Sequence, residues 1–433
     1  MRLKVWPAHA ALEGHCRPPG DKSISHRLAI LGGLAKGTTR ITGYLDSADT
    51  LATLAAMSEL GAHVERGEHE LVISGRALRA PAGALDLGNS GTGMRLLAGA
   101  LAGHPDLHGS EISLVGDASL SSRPMGRIIE PLKAMGADIR GTDGHAPLIL
   151  RPRPLEGLEY RSPVASAQVK SAVALAGLHA SGRTAISEPA PTRDHTERLL
   201  PMFGARIESR PGWLALEGGQ LLHGCRARVP ADLSAAAFLL AAACLVEGSE
   251  VTVEEVGLNP TRDGFLRILD AMGGRLDLQP DQSGQGEPAG RVVARHSVLR
   301  GMHIAEELVP LAIDEFPVIM AMAAVANGET VISGAGELRV KESDRLAAMC
   351  ANLGSLGVSV TETADGAIVR GGSVRGGEVD ACHDHRIAMS LAVLALVAEQ
   401  PVIIHGAEWM ETSYPGFVDD LRGLGARLEW MDA

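Results

Sequence analysis

Glu59-Leu60-Gly61-Ala62-His63-Val64 is the first of six similar stretches that decide the fold of this chain. In each stretch an amphipathic helical pattern ends at a glycine turn and passes directly into a strand-like segment, as is common where glycine closes a helix. The glycines are Gly61, Gly136, Gly204, Gly273, Gly357 and Gly425, spaced 75, 68, 69, 84 and 68 residues apart. Six copies at near-constant spacing predict a repeated structural unit rather than a chance recurrence of a helix cap.

A second pattern alternates with the first and consists of an Ala/Leu-rich helix, a glycine turn and a β-branched strand. Its copies cover residues 27–41, 93–114, 166–186, 233–253, 315–332 and 384–404, of which the second is the least regular. Two helices with intervening strands in each unit indicate a pseudo-symmetric α/β protein of six units, and neither one doubly wound sheet nor an eight-fold barrel.

The simplest partition gives three units to each of two domains. A crossing between the halves is expected at residues 229–232, and the opening strand at residues 3–6 is expected to pair with the C-terminal half. The longest interval between glycines contains Asp277 to Gly290, a Gly-, Pro- and Gln-rich stretch that predicts an inserted loop.

Composition excludes several functional classes. A chain of 433 residues with 45% hydrophobic content can bury a large core. Its longest uncharged apolar runs, residues 233–246 and 387–398, are shorter than the roughly 20 residues of a bilayer span, so we expect buried helices and no membrane partner. A net charge of −12 and 3% aromatic residues argue against a nucleic-acid partner.

Cellular location and cysteine usage point to a reducing compartment. The N-terminal Met1-Arg2-Leu3-Lys4 is followed by no apolar signal-peptide core, which predicts a cytoplasmic protein. The five cysteines are widely spaced and form no C-x-x-C pair, so neither a disulfide framework nor a zinc cage is expected.

The segment from Pro19 to Arg27 places a lysine, two hydroxyls and an arginine at the start of an apolar helix. A helix start offers unpaired N–H groups and a positive dipole end. Lys22 adds a point charge and Arg27 a planar fork, so phosphate or carboxylate is the predicted ligand. The alternative is a Ser-capped surface helix with solvated basic residues.

Four further helix starts in the first half collect polar and charged residues. They are Asn89 to Arg95, Asp117 to Arg127, Ser166 to Ser171 and Thr192 to Arg198. Glycines at residues 91 and 93 would let backbone N–H groups approach a ligand, and Pro124 is expected to stiffen the chain beside Arg123 and to start a helix. The alternatives are a solvated turn, a solvated arginine, simple capping by Ser166 and an exposed ion-pair network at Arg193.

The second half contains three comparable segments. Asp314 precedes an apolar helix and is either a cap or, if it faces cations, a candidate base. Residues 341–345 combine two cations and two acids, which a solvated helix start would also explain. Residues 382–386, Cys-His-Asp-His-Arg, suggest a metal site, but His–x–His spacing puts the rings on different sides of a helix, so no metal is expected and Arg386 fits an anion clamp.

These segments together resemble the 3-phosphoshikimate 1-carboxyvinyltransferase family, the 5-enolpyruvylshikimate-3-phosphate synthases, over essentially the whole chain. Eight motifs carry the resemblance in order: residues 21–27, 88–92, 122–125, 165–170, 192–194, 313–315, 339–345 and 384–386. The Ser-Ala-Gln and Thr-Arg-Asp-His-Thr versions at residues 166–168 and 192–196 are similar to the second bacterial class, which is associated with tolerance of glyphosate.

The resemblance implies an α/β fold of two pseudo-symmetric domains, an inside-out α/β barrel of six repeated βαβαββ units with the active site in the interdomain cleft. The first domain would comprise residues 20–231, and the second would combine residues 1–19 with residues 232–433. It also implies a monomer. The implied reaction is transfer of the enolpyruvyl group of phosphoenolpyruvate to the 5-hydroxyl of shikimate 3-phosphate, a step of chorismate and aromatic amino acid biosynthesis in the shikimate pathway.

The resemblance also implies the site residues. Shikimate 3-phosphate would be bound by Lys22, Ser23, Arg27, Ser166, Gln168, Arg193, Asp314 and Lys341. Phosphoenolpyruvate would be bound by Lys22, Gly91, Arg123, Gln168, Arg345 and Arg386. Asp314 would take the proton of the 5-hydroxyl, and Glu342, assisted by Lys22, would protonate the methylene carbon, giving a tetrahedral intermediate that expels phosphate. No metal or organic cofactor is implied.

Two departures from the family pattern stand out. Thr412 occupies a position where many relatives of the first class carry a lysine that contacts phosphoenolpyruvate. Gly91 occupies a position where tolerant relatives often have alanine, so we hypothesise that the inhibitor glyphosate still competes here.

Two alternative functions, a related transferase with another acceptor and a non-catalytic binding protein, fit these residues less well. The sister enzyme that uses UDP-N-acetylglucosamine as acceptor normally has a cysteine in the loop before its arginine, and residues 117–123 contain none. A non-catalytic phosphometabolite-binding protein on the same scaffold would not need both Asp314 and Glu342.

Overall fold

The computed structural model describes residues 1–281 and 286–431. Its helices are α1 (Lys22–Leu34), α2 (Ala48–Glu59), α3 (Gly91–Ala102), α4 (Ala118–Ser121), α5 (Gly126–Ala134), α6 (Ala167–Gly177), α7 (His195–Met202), α8 (Leu233–Leu245), α9 (Gly264–Ala271), α10 (Val309–Ala312), α11 (Phe316–Ala323), α12 (Arg345–Ser355), α13 (His385–Ala395) and α14 (Phe417–Gly423).

The strands in the same described ranges are β1 (Arg2–Val5), β2 (Glu13–Cys16), β3 (Gly37–Thr42), β4 (His63–Arg66), β5 (Glu70–Gly75), β6 (Leu85–Asp86), β7 (Ile112–Val115), β8 (Asp138–Thr142), β9 (His145–Arg151), β10 (Glu159–Arg161), β11 (Arg183–Ser187), β12 (Ile207–Arg210), β13 (Trp213–Glu217), β14 (Arg226–Arg228), β15 (Glu250–Gly257), β16 (Arg275–Pro280), β17 (Ala289–Arg295), β18 (Glu329–Ile332), β19 (Ser359–Glu362), β20 (Ala367–Arg370), β21 (Gly377–Asp380), β22 (Val402–His405) and β23 (Leu428–Met431).

The chain divides into two compact units. The N-terminal unit comprises residues 20–229 with Gly286 and Glu287, and the C-terminal unit comprises residues 1–19, 230–281 and 288–431 of the described chain. The N-terminal unit contains the sheets β14-β3-β5-β4, β6-β7-β9-β8 and β10-β11-β13-β12. The C-terminal unit contains the sheets β16-β17-β15-β2, β18-β20-β19 and β21-β22-β1-β23.

The repeat predicted from the sequence is present in the order of the elements. Strand, helix, strand, helix, strand, strand recurs along the chain, as in β10-α6-β11-α7-β12-β13. In five sheets the strand after the apolar helix pairs in parallel with one neighbour and antiparallel with the other. In the sixth, an isolated parallel bridge between His303 and Val331 stands in place of the parallel strand. The α/β fold of six repeated units is therefore confirmed.

The glycine turns that revealed the repeat have the predicted backbone. All six glycines have positive φ, from 83° at Gly357 to 115° at Gly61, and each is followed within three residues by a strand. A residue with a Cβ is strained in this left-handed region, which explains why glycine recurs there. The opening strand β1 pairs antiparallel with both β22 and β23, as predicted for the C-terminal half.

The six apolar helices form the centres of the two cores. In the N-terminal unit α3 packs on α6 so closely that a Cβ at Gly99 would lie 2.2 Å from the carbonyl oxygen of Ala172. In the C-terminal unit α8, α11 and α13 pack on one another. The apolar runs in α8 and α13 are buried, as predicted. Among the described residues, no helix is long and apolar enough to cross a membrane.

The predicted loop from Asp277 to Gly290 is wrong at both ends. Asp277 to Pro280 belongs to β16 and pairs with β17, which begins at Ala289. The side chains of residues 277–280 are exposed on this edge strand, so a polar sequence can form it. Residues 282–285 lie outside the described residues.

Candidate active site

The start of α1 is buried and capped by an aspartate. Asp21 Oδ1 accepts a hydrogen bond from the backbone N–H of Ile24 at 2.9 Å. Ten consecutive residues of α1, 24–33, are buried, so the alternative of a Ser-capped surface helix is wrong. Lys22, the first residue of α1, places Nζ 3.0 Å from Asp49 Oδ2 on α2. The sequence analysis did not single out Asp49, because one carboxylate near the start of a helix is common.

Arg27 joins three of the predicted segments. Its Nε donates to Thr196 Oγ1 at 2.8 Å, its Nη2 to Ser171 Oγ at 2.7 Å and its Nη1 to the carbonyl of Ser23 at 2.9 Å. Burial lowers the pKa of Arg27 to about 10, so the guanidinium is still charged at neutral pH. The nearby charge of Arg193 acts in the same direction. Ser23, Arg27 and Arg193 therefore lie in one neighbourhood, together with the carboxylates of Glu197, Asp21 and Glu287, whose charges act to raise the pKa of Arg27 and so oppose the effect of burial.

The start of α3 lies beside two guanidinium groups. Ser90 caps this helix by accepting from the N–H of Gly93 at 3.0 Å. Arg123 donates from Nη2 to Asn89 Oδ1 at 2.5 Å, across the turn that precedes the helix. A Cβ at Gly91 would lie 3.4 Å from Arg123 Nη1 and 3.0 Å from Arg95 Nη1. Gly91 and Arg123 are therefore neighbours, although the helix after Pro124 begins two residues later than predicted, at Gly126.

Gln168 is held by side chains of α3 rather than by a backbone group. Its Oε1 accepts from Arg95 Nη1 at 2.7 Å, and its Nε2 donates to Thr92 Oγ1 at 2.9 Å. Ser166 caps α6, as the simple-capping alternative proposed. The sequence does not reveal this contact of Arg95, since nothing near Arg95 distinguishes it from a solvated arginine.

His26 links the starts of these helices from inside the core. Its Nδ1 is 2.8 Å from Thr53 Oγ1, and its Nε2 is 3.3 Å from Ser90 Oγ. Burial lowers the pKa of His26 to about 3, so the imidazole is neutral at physiological pH. A neutral ring that donates through one nitrogen and accepts through the other satisfies both hydroxyls. The sequence analysis gave His26 no role.

The start of α7 is also more buried than an exposed ion-pair network would be. His195 is buried, and its Nδ1 lies 2.6 Å from Glu287 Oε1. Glu197 is also buried, and its Oε1 lies 2.7 Å from Lys170 Nζ. Arg198 forms the expected partly exposed pair, with Nε 2.8 Å from Asp194 Oδ1.

In the C-terminal unit, Arg345 lies at the centre of a group of carboxylates. It is 1% exposed, and its Nε donates to Asp384 Oδ2 at 2.8 Å. Its Nη1 donates to Asp314 Oδ1 at 3.3 Å and its Nη2 to Glu342 Oε2 at 2.5 Å. Burial alone would lower the pKa of Arg345, but the three carboxylates raise it above its ordinary value. A solvated helix start is therefore wrong for Arg345, whereas Lys341, Glu342 and Asp344 are partly exposed.

The same cluster contains the remaining predicted residues. Lys341 Nζ lies 3.5 Å from Asp314 Oδ1, and Arg386 Nη1 donates to the backbone carbonyl of Asp314 at 2.9 Å. Asp314 does not cap α11, whose N-cap residue is Glu315. Lys341 and Arg345 both lie at the carboxylate of Asp314. Asp314 therefore faces cations, as expected if it is a base and not a cap.

His383 and His385 are not on one helix, contrary to the interpretation of their spacing, because only His385 belongs to α13. Cys382 and His383 have positive φ, 52° and 57°, in the turn before the helix, which begins at His385. Asp384 caps the helix by accepting from the N–H of Arg386 at 2.9 Å. In the part of the chain that the structure describes, no group of three or more His, Cys, Asp or Glu side chains is arranged to hold a metal ion.

Thr412 ends a 3₁₀ turn, Ala407–Thr412. Its hydroxyl donates to the carbonyl of Trp409 at 2.7 Å, so it stabilises its own turn.

Six repeated α/β units, three in each of two compact units, define the class of protein: it has the two-domain enolpyruvyl transferase fold. The sequence profile described as EPSP synthase (3-phosphoshikimate 1-carboxyvinyltransferase) matches residues 7–421. The chain belongs to the EPSP synthase family.

Individual relatives are similar to this chain over nearly their whole length. The chain is 51% identical over 436 aligned residues to a 3-phosphoshikimate 1-carboxyvinyltransferase from Acidithiobacillus ferrooxidans, with 100% of both chains covered. It is 52% identical over 426 residues to one from Halorhodospira halophila, with 97% of this chain and 95% of the relative covered. The solved structure of EPSP synthase from Acinetobacter baumannii is similar with a TM-score of 0.89 at 44% identity, covering 99% of each chain.

Proposed function

We propose that the protein transfers the enolpyruvyl group of phosphoenolpyruvate to the 5-hydroxyl of shikimate 3-phosphate and releases phosphate, as a step of aromatic biosynthesis. Family membership and the names of full-length relatives support this reaction. The observation that carries it is the contact of one buried arginine, Arg345, with both candidate proton-transfer groups, Asp314 and Glu342.

The reaction is an addition followed by an elimination. The 5-hydroxyl oxygen of the acceptor attacks C2 of phosphoenolpyruvate while Asp314 takes the hydroxyl proton. Glu342, assisted by Lys22, delivers a proton to the C3 methylene, which becomes a methyl group in a tetrahedral intermediate. Glu342, now a carboxylate, takes back a proton from the methyl group as the C2–O bond to phosphate breaks, which forms the enol ether and releases inorganic phosphate. Fixed cations meet the charge that develops, so no metal or organic cofactor is required.

Shikimate 3-phosphate is bound by cations and polar groups at helix starts. These residues are Lys22, Ser23, Arg27, Ser166, Gln168, Arg193, Asp314 and Lys341. The contacts of Arg27 with the segments that carry Ser23, Ser171 and Thr196 support a single anion site in the N-terminal unit. A planar, buried guanidinium suits a phosphate ester, because it offers parallel N–H donors at fixed spacing.

Phosphoenolpyruvate is bound by cations and polar groups, which suit a small molecule with a carboxylate and a phosphate. These residues are Lys22, Gly91, Arg123, Gln168, Arg345 and Arg386. The proximity of Gly91 to Arg123 supports this assignment, since a backbone without a Cβ leaves space for the ligand beside the guanidinium. Glyphosate competes for the same place.

We also propose the extent of the two domains, the cellular location, the oligomeric state and the choice of acceptor. Residues 20–231 act as one functional domain and residues 1–19 with 232–433 as the other, which the bounds of the two compact units support. The protein is a cytoplasmic monomer. UDP-N-acetylglucosamine is not favoured as acceptor, since the family and its relatives carry the shikimate name and residues 117–123 contain no cysteine.

Phosphate release tests the reaction. Release is expected when the protein is mixed with both shikimate 3-phosphate and phosphoenolpyruvate, and not with either alone. Release with UDP-N-acetylglucosamine in place of the shikimate ester would overturn the proposal.

A further inference from the structure

Glu188 is a buried carboxylate that holds two helix starts in the N-terminal unit. It follows β11, and its side chain is 0% exposed. Its Oε1 accepts from the backbone N–H of Ser166 at 3.1 Å and from Thr192 Oγ1 at 2.7 Å. Ser166 is the N-cap residue of α6, and Thr192 lies three residues before the start of α7. One oxygen atom therefore joins the segments that lead into both helices.

The other oxygen of Glu188 belongs to a buried ionic group. Lys170 Nζ lies 2.9 Å from Glu188 Oε2 and 2.7 Å from Glu197 Oε1, and the lysine side chain is 1% exposed. Burial alone would lower the pKa of Lys170, but the two carboxylates raise it above its ordinary value, so it is charged. Lys170 is on α6 and Glu197 is on α7, so this group joins the same two helices one turn further along.

Arg27 is a second buried cation beside this group. It donates to Ser171 and Thr196, the sequence neighbours of Lys170 and Glu197, and these two hydroxyls are 2.7 Å apart. Arg27 and the group together contain two buried cations and two buried carboxylates. Buried ion pairs hold their elements in one arrangement, because a displacement that separates Lys170 from Glu188 or Glu197 leaves a buried charge unpaired.

We propose that Glu188 is a positioning residue for the acceptor, fixing the starts of α6 and α7 at the spacing at which Ser166 and Arg193 bind shikimate 3-phosphate. Gln168 is held separately, by Arg95 and Thr92 of α3. The inference rests on the proposed function. Loss of the Glu188 carboxylate should therefore weaken acceptor binding and have little effect on phosphoenolpyruvate binding or on the rate of the chemical step.

Glu188→Ala tests the assignment directly. We expect the Kd for shikimate 3-phosphate, measured by titration calorimetry, to rise by at least about tenfold, since two hydrogen bonds and an ion pair are lost at once. The KM for phosphoenolpyruvate at saturating acceptor and kcat are expected to change by less than about threefold. Glu188→Gln keeps an acceptor oxygen for Ser166 and Thr192 and leaves Lys170 paired with Glu197, so it should recover most of the lost affinity.

Two further variants separate positioning from general stability. Ile73→Ala removes a fully buried side chain from β5, in another sheet of the same unit, and should lower the melting temperature without changing the Kd for shikimate 3-phosphate. Thr192→Val removes only the hydroxyl bound by Glu188 and should raise that Kd by about threefold, which keeps the test decisive if Glu188→Ala does not fold.

The binding measurements test the proposed function and the positioning role of Glu188 separately. A wild-type protein that does not bind shikimate 3-phosphate would overturn the proposed function and this inference with it. A wild type that binds, together with Glu188→Ala or Thr192→Val binding equally well, would overturn the positioning role alone. A Kd raised as much by Ile73→Ala as by Glu188→Ala would also overturn it.

Discussion

The Nε atom of Arg345 lies 2.8 Å from Oδ2 of Asp384, and the two side chains are 1% and 0% exposed. The free energy of desolvating a buried ion pair offsets much of the attraction between its charges, so the main effect of this pair is to orient the Arg345 guanidinium. Asp384 fixes one edge of the guanidinium, and the remaining donors contact Asp314 and Glu342. Because the arginine is planar, the two carboxylates are held on one rigid group.

Arg345→Lys is therefore expected to lower kcat/KM by at least about 100-fold, since one ammonium cannot replace a fork that contacts three carboxylates. Steady-state kinetics measure the loss. The control is Arg370→Lys, in the same unit, where an exposed pair with Glu329 at 3.0 Å should be dispensable. Equal activity of the two variants would show that the fork geometry is irrelevant.

Lys22→Met tests the role of the first cation of α1. Its ammonium contacts Asp49 and is assigned to both substrates and to proton transfer, so kcat/KM should fall by at least about 100-fold while the melting temperature changes little. The exposed Lys36 provides the control, and Lys36→Met should be fully active. If both variants kept wild-type kinetics, Lys22 would be a surface charge only.

Gly91→Ala tests the space beside Arg123. The new Cβ would be 3.0 Å from Arg95 Nη1 and 3.4 Å from Arg123 Nη1, and it should raise the inhibition constant of glyphosate more than the KM of phosphoenolpyruvate, because the inhibitor is bulkier. Gly83→Ala, where a Cβ meets nothing within 4 Å, is the control. A wild-type inhibition constant hundreds of times the KM for phosphoenolpyruvate would refute competition by glyphosate in this protein.

His26 predicts how stability depends on pH. Burial lowers its pKa to about 3; Asp49 opposes this shift, and Lys22 and Arg27 reinforce it. The unfolded chain binds a proton near pH 6.5 and the folded chain does not, so this contribution is complete above pH 6.5 and is lost as the pH falls toward 3. Between pH 7 and pH 5 the loss is about 2 kcal/mol.

His26→Gln removes that titration. Urea unfolding at pH 7 and pH 5 should show that the variant loses about 2 kcal/mol less stability on acidification than the wild type. The same loss in both proteins would mean that His26 is protonated in the folded state.

The repeat could be predicted from the sequence because it is local and periodic. A left-handed glycine such as Gly61 leaves the same mark in all six copies, and the apolar helices need only composition to be found. The helix starts with Lys22 and Arg345 were also recognisable, since unusual charge stands beside an apolar run.

The partners of those residues could not be predicted in the same way. Asp49, Arg95 and Glu188 look like solvated surface residues in the sequence, and only folding brings them to Lys22, Gln168 and Lys170. The spacing of His383 and His385 is not that of one helix, because His383 lies in a left-handed turn and His385 is the first residue of α13.

Asp314→Ala gives the most direct test of the central claim that Asp314 is the base of an enolpyruvyl transfer to shikimate 3-phosphate. The measurement is phosphate release from phosphoenolpyruvate in the presence of shikimate 3-phosphate, paired with titration calorimetry of acceptor binding. We predict that the wild type releases phosphate only with both substrates, and that the variant releases it at least about 1000-fold more slowly while still binding the acceptor. Phosphate release by Asp314→Ala at the wild-type rate would contradict the account.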